Sequence, residues 1–499
     1  MTSPRPATRD QRWRQVLMSS WLWLAVALLA LLFLSWPSFG ISFGLIDDHE
    51  IIEIIGPHHR LPCGEIVSTI IERSDESLGR FRPMYWVMRT LESATAGQDV
   101  TWWYVDRFLL AGVTLVAIFL TVARFTLPPL AALIALLPFV GAQAETWSRL
   151  GPNEAYAMPL LAVGAALVIR DATRGRRPAA QWLGYGFLLA SGLAKENFLP
   201  VAVVIVAWSG VHFGLRRFRV ADWVVVGLAA LVTVADLVAI AIKIRNFGGV
   251  YPQERSLATT RAWFDFAVSS LDQSSRLVTG VFVALMMWVI IRRHPSRRAV
   301  IGVVVVAVAV SIVQSVFYAG GPLAGRYLYP IALLSVVAWT CAAHLASSLR
   351  SPRTRIAAFA VITLALALPL LDGIREARDA SRSSAAATNS FQANLSKLEA
   401  QIETTGATTV VMQPYESTTD IEPVLSLARY LVAQDGLTVT TLPAPQAAEG
   451  YSADLNKLLT QWSRRGHESL APYHKSRDCV SIVFGSAEPV CTAALPPAL

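Results

Sequence analysis

A short acidic stretch follows the first apolar segment of the chain. Residues 16–37 are long and apolar enough to cross a membrane, and 44–52 then read Gly-Leu-Ile-Asp-Asp-His-Glu-Ile-Ile. Carboxylates this close to hydrocarbon are unfavourable unless they face water, a partner or a substrate. A carboxylate in this place can act as a general base that accepts a proton from an attacking hydroxyl group. We therefore predict that Asp47 or Asp48 is catalytic; the alternative is an exit loop with solvated charges.

The composition indicates a polytopic membrane protein. The chain of 499 residues is 54% hydrophobic and 16% charged, whereas soluble proteins have about 25% charged residues. Apolar runs near the length of a membrane-spanning helix recur, and short arginine-rich loops separate them. The net charge of +8 therefore reflects loops on the cytoplasmic side and does not indicate nucleic-acid binding. Four cysteines are too few for a disulfide framework.

We predict a polytopic α-helical fold with about 11 membrane-spanning helices and a cytoplasmic N-terminus. The predicted spans are 16–37, 107–123, 129–143, 155–170, 181–194, 198–213, 221–243, 275–291, 299–318, 327–347 and 356–371. The third is short and contains Pro138. The first extracytoplasmic loop covers about 40–104. Basic and aromatic residues alternate over 81–89 within it, which indicates an amphipathic helix in the membrane interface.

The composition changes near residue 372, where the long apolar runs stop. Strands are predicted at 409–412, 437–441 and 480–484, with helices at 423–432 and 455–462 between them. We therefore predict a membrane domain over 1–371 and a small extracytoplasmic α/β domain over 372–499. Cys479 and Cys491 flank the last strand and either form a disulfide or are two unrelated thiols.

Further short motifs accompany the acidic pair on the predicted outer side. They are Gly79-Arg80-Phe81-Arg82-Pro83, Arg149-Leu150-Gly151-Pro152-Asn153-Glu154, Lys195-Glu196 and Gly325-Arg326-Tyr327-Leu328-Tyr329-Pro330. In this order and on this side, they resemble the GT-C superfamily of polytopic glycosyltransferases, most closely bacterial protein mannosyltransferases and arabinosyltransferases. The resemblance implies that Asp47 is the general base and that the sugar is inverted at its anomeric carbon. It also implies a polyprenyl-phosphate sugar donor, a glycan, lipid or protein acceptor, and a place in the bacterial inner (plasma) membrane.

A departing lipid phosphate requires cations where its charge develops. The candidates on the same side are Arg326 with its neighbour Tyr327, Lys195, Arg149, His58, His59, Arg80 and Arg82. Each can instead be an interfacial anchor or one half of an ion pair, for instance Lys195 with Glu196 or Glu154. The acids Glu145, Glu154 and Glu196 either bind sugar hydroxyls or a metal, or pair with neighbouring arginines.

The sequence leaves open whether the protein uses a metal, and it allows more than one class of function. His49, Glu50 and the acid pair offer ligands for a divalent metal, but their spacing forms no recognised metal motif. Asp236 lies well inside a predicted span and should face a cavity or a cation. The chain has no Gly-x-x-x-x-Gly-Lys motif, which argues against ATP-driven transport. The other hypotheses are a transporter or flippase of a lipid-linked or anionic solute, and a scaffold that binds cell-envelope glycan.

Overall fold

The computed structural model is mostly helical, with one small sheet. It describes residues 19–44, 48–56, 58–74, 82–174, 178–203, 205–206, 220–247, 329–406, 408–414, 430–431, 438–441, 479–484 and 491–492. The predicted spans at 275–291 and 299–318 lie outside these residues, and the span at 198–213 is described only in part.

The first part of the chain forms one long helix and three shorter ones. They are α1 (Ser20–Ser35), α2 (His49–Ile55), α3 (Ile66–Ser74) and α4 (Pro83–Thr95). The sequence of α1 is almost entirely apolar, and a 3-10 turn at Trp36–Ser38 follows it. Gly56 has a φ of 59°, which a glycine adopts without strain, and α2 ends there. Pro83 begins α4 at a position where a missing N–H is tolerated.

Five helices follow in close succession. They are α5 (Val100–Val122), α6 (Pro128–Leu136), α7 (Glu145–Ser148), α8 (Glu154–Arg174) and α9 (Pro178–Ala194). The Asp99 side chain caps α5 by accepting a hydrogen bond from the Thr101 amide at 3.1 Å. The 9 residues of α6 extend only about 14 Å, and two 3-10 turns follow, at Leu137–Phe139 and Gly141–Ala144. The predicted span at 129–143 is therefore short and interrupted at Pro138, as the sequence indicated, because the α-helical geometry ends just before this proline.

The later helices are α10 (Val220–Phe247), α11 (Tyr329–Ser347) and α12 (Pro352–Thr405). With 54 residues, α12 is about 80 Å long. It runs without interruption through residue 372, where the composition changes, and ends at Gly406, which has a left-handed φ of 64°. Residues 372–405 therefore continue the last predicted span as one helix.

Three of the described helical segments are long and apolar enough to cross a membrane. They are Ser20–Ser38, Val100–Val122 and Pro352–Thr405, and shorter apolar helices occur at Pro128–Phe139 and Trp223–Ala235. Large apolar side chains on them, such as Leu29 and Leu364, are exposed in the isolated chain. Lipid would cover such side chains, and the protein is therefore a helical membrane protein.

Two apolar cores hold the described helices together. The larger core joins side chains of α1, α5, α6, α8, α9, α11 and α12. The smaller core lies under the acidic stretch and joins it to the start of α5 and to Leu150. We call it the small core; its buried members are Ile41, Ile51, Ile55, Ala96, Trp103, Tyr104 and Leu150.

The aromatic residues of α4 are part of the protein interior. Tyr85 is 1% and Trp86 is 3% exposed, and the Tyr85 ring lies 5.6 Å from the ring of Tyr156 on α8. The prediction that 81–89 is an interfacial helix with aromatic anchors is wrong for these two residues, because α8 and α9 pack over them. Exposed apolar side chains of this region lie on α3, at Val67 and Ile71, and on α4, at Leu91.

The sheet has the strand order β2-β1-β3-β4. Its strands are β1 (Thr409–Pro414), β2 (Thr438–Thr441), β3 (Cys479–Phe484) and β4 (Cys491–Thr492). The strand β1 is parallel to β2 and β3, and β4 is antiparallel to β3. The three longer strands lie where the sequence predicts them. The helix predicted at 455–462 lies outside the described residues, and only 430–431 of the other are described and helical. The α/β domain as a unit therefore stays a prediction.

The register of β3 and β4 bears on the two cysteines. Cys491 lies opposite Ile482, three positions along β3 from Cys479. Three residues of strand correspond to about 10 Å. This backbone separation exceeds the distance of roughly 7 Å that a disulfide spans between Cα atoms. The predicted pairing of Cys479 with Cys491 therefore does not fit this register.

Candidate functional site

The connection between α7 and α8, residues 149–154, is where charged side chains from several helices meet. We call it the central loop. It follows a helix of only four residues and reads Arg-Leu-Gly-Pro-Asn-Glu. Partners of its backbone and side chains come from α4, α5, α7 and the end of α9.

Two buried arginines share one carbonyl group of the central loop. Arg89 of α4 and Arg107 of α5 donate through Nη2 to the Leu150 oxygen at 3.1 and 2.6 Å. The Arg107 guanidinium also lies 4.2 Å from the centre of the Tyr156 ring, which offers it a favourable quadrupole. Arg107 is only 2% exposed. Carbonyl and ring contacts thus hold two cations beneath the central loop.

A two-point ion pair fixes the start of α4 to the end of α9. Arg82 donates through Nε and Nη2 to the two carboxylate oxygens of Glu196, at 2.6 and 2.8 Å. With the Asn153 amide oriented to suit its neighbours, its oxygen accepts from Arg82 Nη1 at 2.7 Å and its nitrogen donates to the Gly151 carbonyl at 3.2 Å. Arg82 therefore connects two helices with the central loop.

Lys195 pairs with the other end of the same loop. Its Nζ lies 3.1 Å from Glu154 Oε1, and both side chains are buried. Arg149 forms a half-buried pair with Glu145 one turn earlier in the chain. The ion-pair alternative for Lys195, Arg149 and the three glutamates is thus realised in the structure. Removing one partner of a buried pair costs about 3–5 kcal/mol, because the other charge is left uncompensated.

The acidic stretch lies beside the central loop. Asp48 is 4% exposed and accepts a hydrogen bond from the Gly44 amide, with 2.6 Å between Gly44 N and Asp48 Oδ2. Ile51 and Ile55 of α2, which follow Asp48, belong to the same small core as Leu150 of the central loop. The charges of Asp48 and Arg149 both act on the Tyr104 hydroxyl. The fold therefore brings an acid and the cations of the central loop to one end of the helices.

A second acid contacts the buried arginines from α4. The Tyr156 hydroxyl donates to Glu92 Oε2, and the Glu92 carboxyl is hydrogen-bonded to Asp106 of α5. Burial and the bond with Asp106 raise the pKa of Glu92 well above its usual value, while Arg107 and Arg89 act in the opposite direction. A hydrogen bond between two carboxyl groups requires a proton on one of them. The raised pKa of Glu92 favours its protonated form, which can supply the proton of this bond.

The predicted site residues fall into three sets. Arg82, Arg149, Glu154, Lys195 and Glu196 meet at the central loop, with Asp48 beside it. His58 and His59 are exposed, and their carbonyl groups accept hydrogen bonds from Gln98. Asp47, Arg80, Arg326 and Tyr327 lie outside the described residues, as does the side chain of Asp236.

The structure describes the end of the predicted motif at 325–330, from Tyr329 onward. The hydroxyl of Tyr329, at the start of α11, donates to the Pro138 carbonyl at 2.6 Å and accepts from Trp147 Nε1 at 2.8 Å. Trp147 lies on α7, the short helix that ends directly before the central loop. The start of α11 therefore reaches this end of the molecule.

Sequence reasoning missed Arg89, Arg107, Glu92 and Tyr156. Arg107 carried a usable signal, since a charge at the beginning of an apolar span needs a buried partner or a cavity. Arg89 lay in a stretch that was assigned to the membrane interface, so its burial was not expected. Within the described ranges, no group of three or more His, Cys, Asp or Glu side chains is arranged to hold a metal ion.

Fold and site together define a helical membrane protein with a buried charged network at one end of its helices. No family model matches the chain, and no curated protein matches it.

Proposed function

We propose that the protein is an inverting glycosyltransferase that moves a sugar from a polyprenyl-phosphate donor to a hydroxyl group outside the cytoplasm. One observation carries the proposal. The acidic stretch packs through the small core on the central loop, so that Asp48 and the cations of several helices lie together at one end of a helical membrane protein. A transfer of this kind needs a base for the acceptor and cations for the leaving phosphate.

We assign the role of base to Asp47. The Asp48 carboxylate accepts a hydrogen bond from the Gly44 backbone and so links Gly44 to the start of α2. In the proposed step, the carboxylate of Asp47 takes the proton of the acceptor hydroxyl as the acceptor oxygen bonds to the anomeric carbon. The bond from that carbon to the phosphate oxygen breaks, and the lipid phosphate leaves with the bonding electrons.

The cations have different roles in the proposal. Arg82 and Lys195 are buried in ion pairs, which suits them to shaping the central loop. Arg149 is half-buried in its pair with Glu145 and is the better placed to meet a lipid phosphate. Arg326 is a further candidate, since it precedes Tyr329 by three residues. The Tyr329 hydroxyl is hydrogen-bonded to Trp147 of α7 and to the Pro138 carbonyl.

Further parts of the proposal are based on the sequence alone. The chain crosses a bacterial inner membrane about 11 times, its C-terminal α/β domain lies outside the cytoplasm, and the acceptor is a glycan, lipid or protein of the cell envelope.

Substitution of the two acids tests the proposal. We expect Asp47→Asn to lower transfer from a polyprenyl-phosphate sugar by about 10²–10⁴-fold, because a general base contributes about this factor. Asp48→Asn should lower activity less and also lower the melting temperature, because it weakens the bond from Gly44. The assay measures radiolabelled sugar transfer by purified protein in lipid vesicles.

The outcomes separate the alternatives. An inactive Asp48→Asn with a fully active Asp47→Asn would move the base to Asp48. Full activity in both variants would exclude a transfer in which either of these carboxylates is the general base. A wild-type protein that moves lipid-linked sugar across the vesicle membrane without transferring it would instead be a flippase.

A further inference from the structure

The outer part of α12 lies against the loops that carry the proposed site. The Arg378 guanidinium lies 4.1 Å from the centre of the Phe33 ring on α1. One turn later, Ser381 and Ser38 are hydrogen-bonded through their hydroxyl groups at 2.9 Å, and this bond is buried. Side chains three or four positions apart share one face of a helix, so these contacts begin a continuous stripe.

The stripe continues onto the central loop and the small core. Ser384 Oγ donates to the carbonyl of Ser148, the residue before the central loop, at 3.3 Å. Ala385 packs against the small core that Ile51 and Leu150 share. The same face of α12 therefore contacts both parts of the proposed site.

The stripe ends at the acidic stretch. Thr388 is 7% exposed, and its hydroxyl donates within α12 to the Ser384 carbonyl at 2.8 Å. A Cβ atom placed on Gly44 would lie 3.1 Å from Asp48 Oδ2 and 3.6 Å from Thr388 Oγ1. Gly44 is thus enclosed between the carboxylate that its amide binds and the side chain of Thr388.

We infer that Thr388 is a positioning residue, which holds Gly44, and through the Gly44 amide the Asp48 carboxylate, in place at the proposed site. The inference rests on the proposed function for the reaction that it serves, but the contact itself is independent of that reaction. It also assigns a role to residues 372–405, which continue the last predicted span: their helix supports the site from its outer side.

The physical reason lies in the precision that a catalytic base requires. A displacement of about 1 Å can cost about a hundredfold in rate. Gly44 has no side chain of its own to fill the space beside the turn. A side chain from another element must therefore fill it, and Thr388 does so from a helix that is 54 residues long and continuous.

Hydrogen–deuterium exchange of residues 41–52 tests the contact without any enzyme assay. We expect Thr388→Leu, whose larger side chain pushes against Gly44, to raise exchange there by about tenfold or more. Thr388→Ala should raise it less, and Thr388→Ser should restore the wild-type rate. The matched control is Ala387→Leu, which places a leucine at an exposed position of the same turn.

Kinetics then test the link to the reaction. We expect Thr388→Leu to lower kcat by about tenfold or more, while KM for the lipid donor stays within about twofold, because the donor contacts are elsewhere. Thr388→Ser and Ala387→Leu should keep wild-type values.

The two readouts separate the two proposals. Wild-type exchange over 41–52 in Thr388→Leu and Thr388→Ala overturns the positioning role, whatever the activity. If Thr388→Leu unfolds, a local rise in Thr388→Ala supports the role and no rise overturns it. If the wild-type protein transfers no sugar but the exchange changes as expected, the proposed function fails and the positioning role stands.

Discussion

Arg82 and Glu196 are 114 positions apart in the chain and form a two-point ion pair in its interior. The sequence left both residues open to substrate binding or to ion pairing, because cations and acids near a membrane surface are costly without a partner. The structure supplies the partner from within the chain. The pair fixes the geometry of α4 against the end of α9. Arg149, in its half-buried pair with Glu145, is the cation that the proposed function assigns to the lipid phosphate.

The sequence could indicate that Lys195 needs an acid, but it left Glu196 and Glu154 as equal choices. The structure pairs Lys195 with Glu154 at 3.1 Å and gives Glu196 to Arg82. The choice depends on how α4, α8 and α9 are placed relative to each other. Proximity in the sequence does not determine the pairing, because Lys195 and Glu196 are consecutive residues but pair with different partners.

Glu92 gives a prediction for pH dependence. Its folded-state pKa is raised, so its contribution to stability is fully present below the ordinary pKa of a glutamate and is lost as the pH rises through the raised value. In Glu92→Gln the side chain stays neutral. We therefore expect the melting temperature of this variant to fall less than that of the wild type as the pH rises from about 4 to 8.

Thermal unfolding of the detergent-solubilised protein across this pH range measures the difference. The control is Glu72→Gln, which neutralises an exposed acid on α3 and should follow the wild-type curve. Parallel curves for Glu92→Gln and the wild type would show that Glu92 is not protonated preferentially in the folded protein.

At the scale of elements, α8 and α9 approach each other through glycines. A Cβ atom on Gly164 would lie 2.8 Å from the Gly184 carbonyl oxygen and 2.9 Å from Leu188 Cγ. Both distances are shorter than ordinary contacts, so the helices can lie this close only without the side chain. Small residues play this part widely in membrane proteins, since they let helix backbones come together.

We expect Gly164→Ala to destabilise the protein by about 1–3 kcal/mol through overpacking. Gly186→Ala is the matched control on α9, since nothing lies within 4 Å of its added Cβ. This substitution should be neutral or stabilising by up to about 1 kcal/mol, because alanine favours the helix. Unfolding in detergent measures both, and equal stability of the two variants would contradict the close approach.

The helices themselves were largely predictable. Apolar runs of suitable length correspond to α1, α5, α8, α9, α10, α11 and the first part of α12. The errors occur where local pattern and tertiary contact conflict. Tyr85 and Trp86 read as interfacial anchors, but both are buried, and the Tyr85 ring lies against Tyr156 and the Arg89 guanidinium. Residues 372–405, where the sequence begins a second domain, continue α12 as one helix, and this part of α12 is hydrogen-bonded to Ser38 and Ser148.

At the scale of the whole molecule, the proposal makes a prediction about sidedness. With about 11 spans and a cytoplasmic N-terminus, the C-terminus lies outside the cytoplasm. In a bacterial host, we expect alkaline phosphatase fused to the C-terminus to be active and green fluorescent protein fused there to be dark. The same reporters fused after residue 219, in an arginine-rich loop, should give the opposite result. Fluorescence at the C-terminus would require an even number of spans.

The order of residues alone determined four features: the membrane character, the helical periodicity of the spans, three strands and the existence of a polar end. They depend on local patterns of apolar and charged side chains, which a single chain carries within windows of about 20 residues. Only the tertiary structure decided the pairing of Arg82 with Glu196, the two arginines on the Leu150 carbonyl, the small core and the approach of Thr388 to Gly44. Each joins residues far apart in the chain, and such contacts depend on which helices become neighbours, a property that no local window contains.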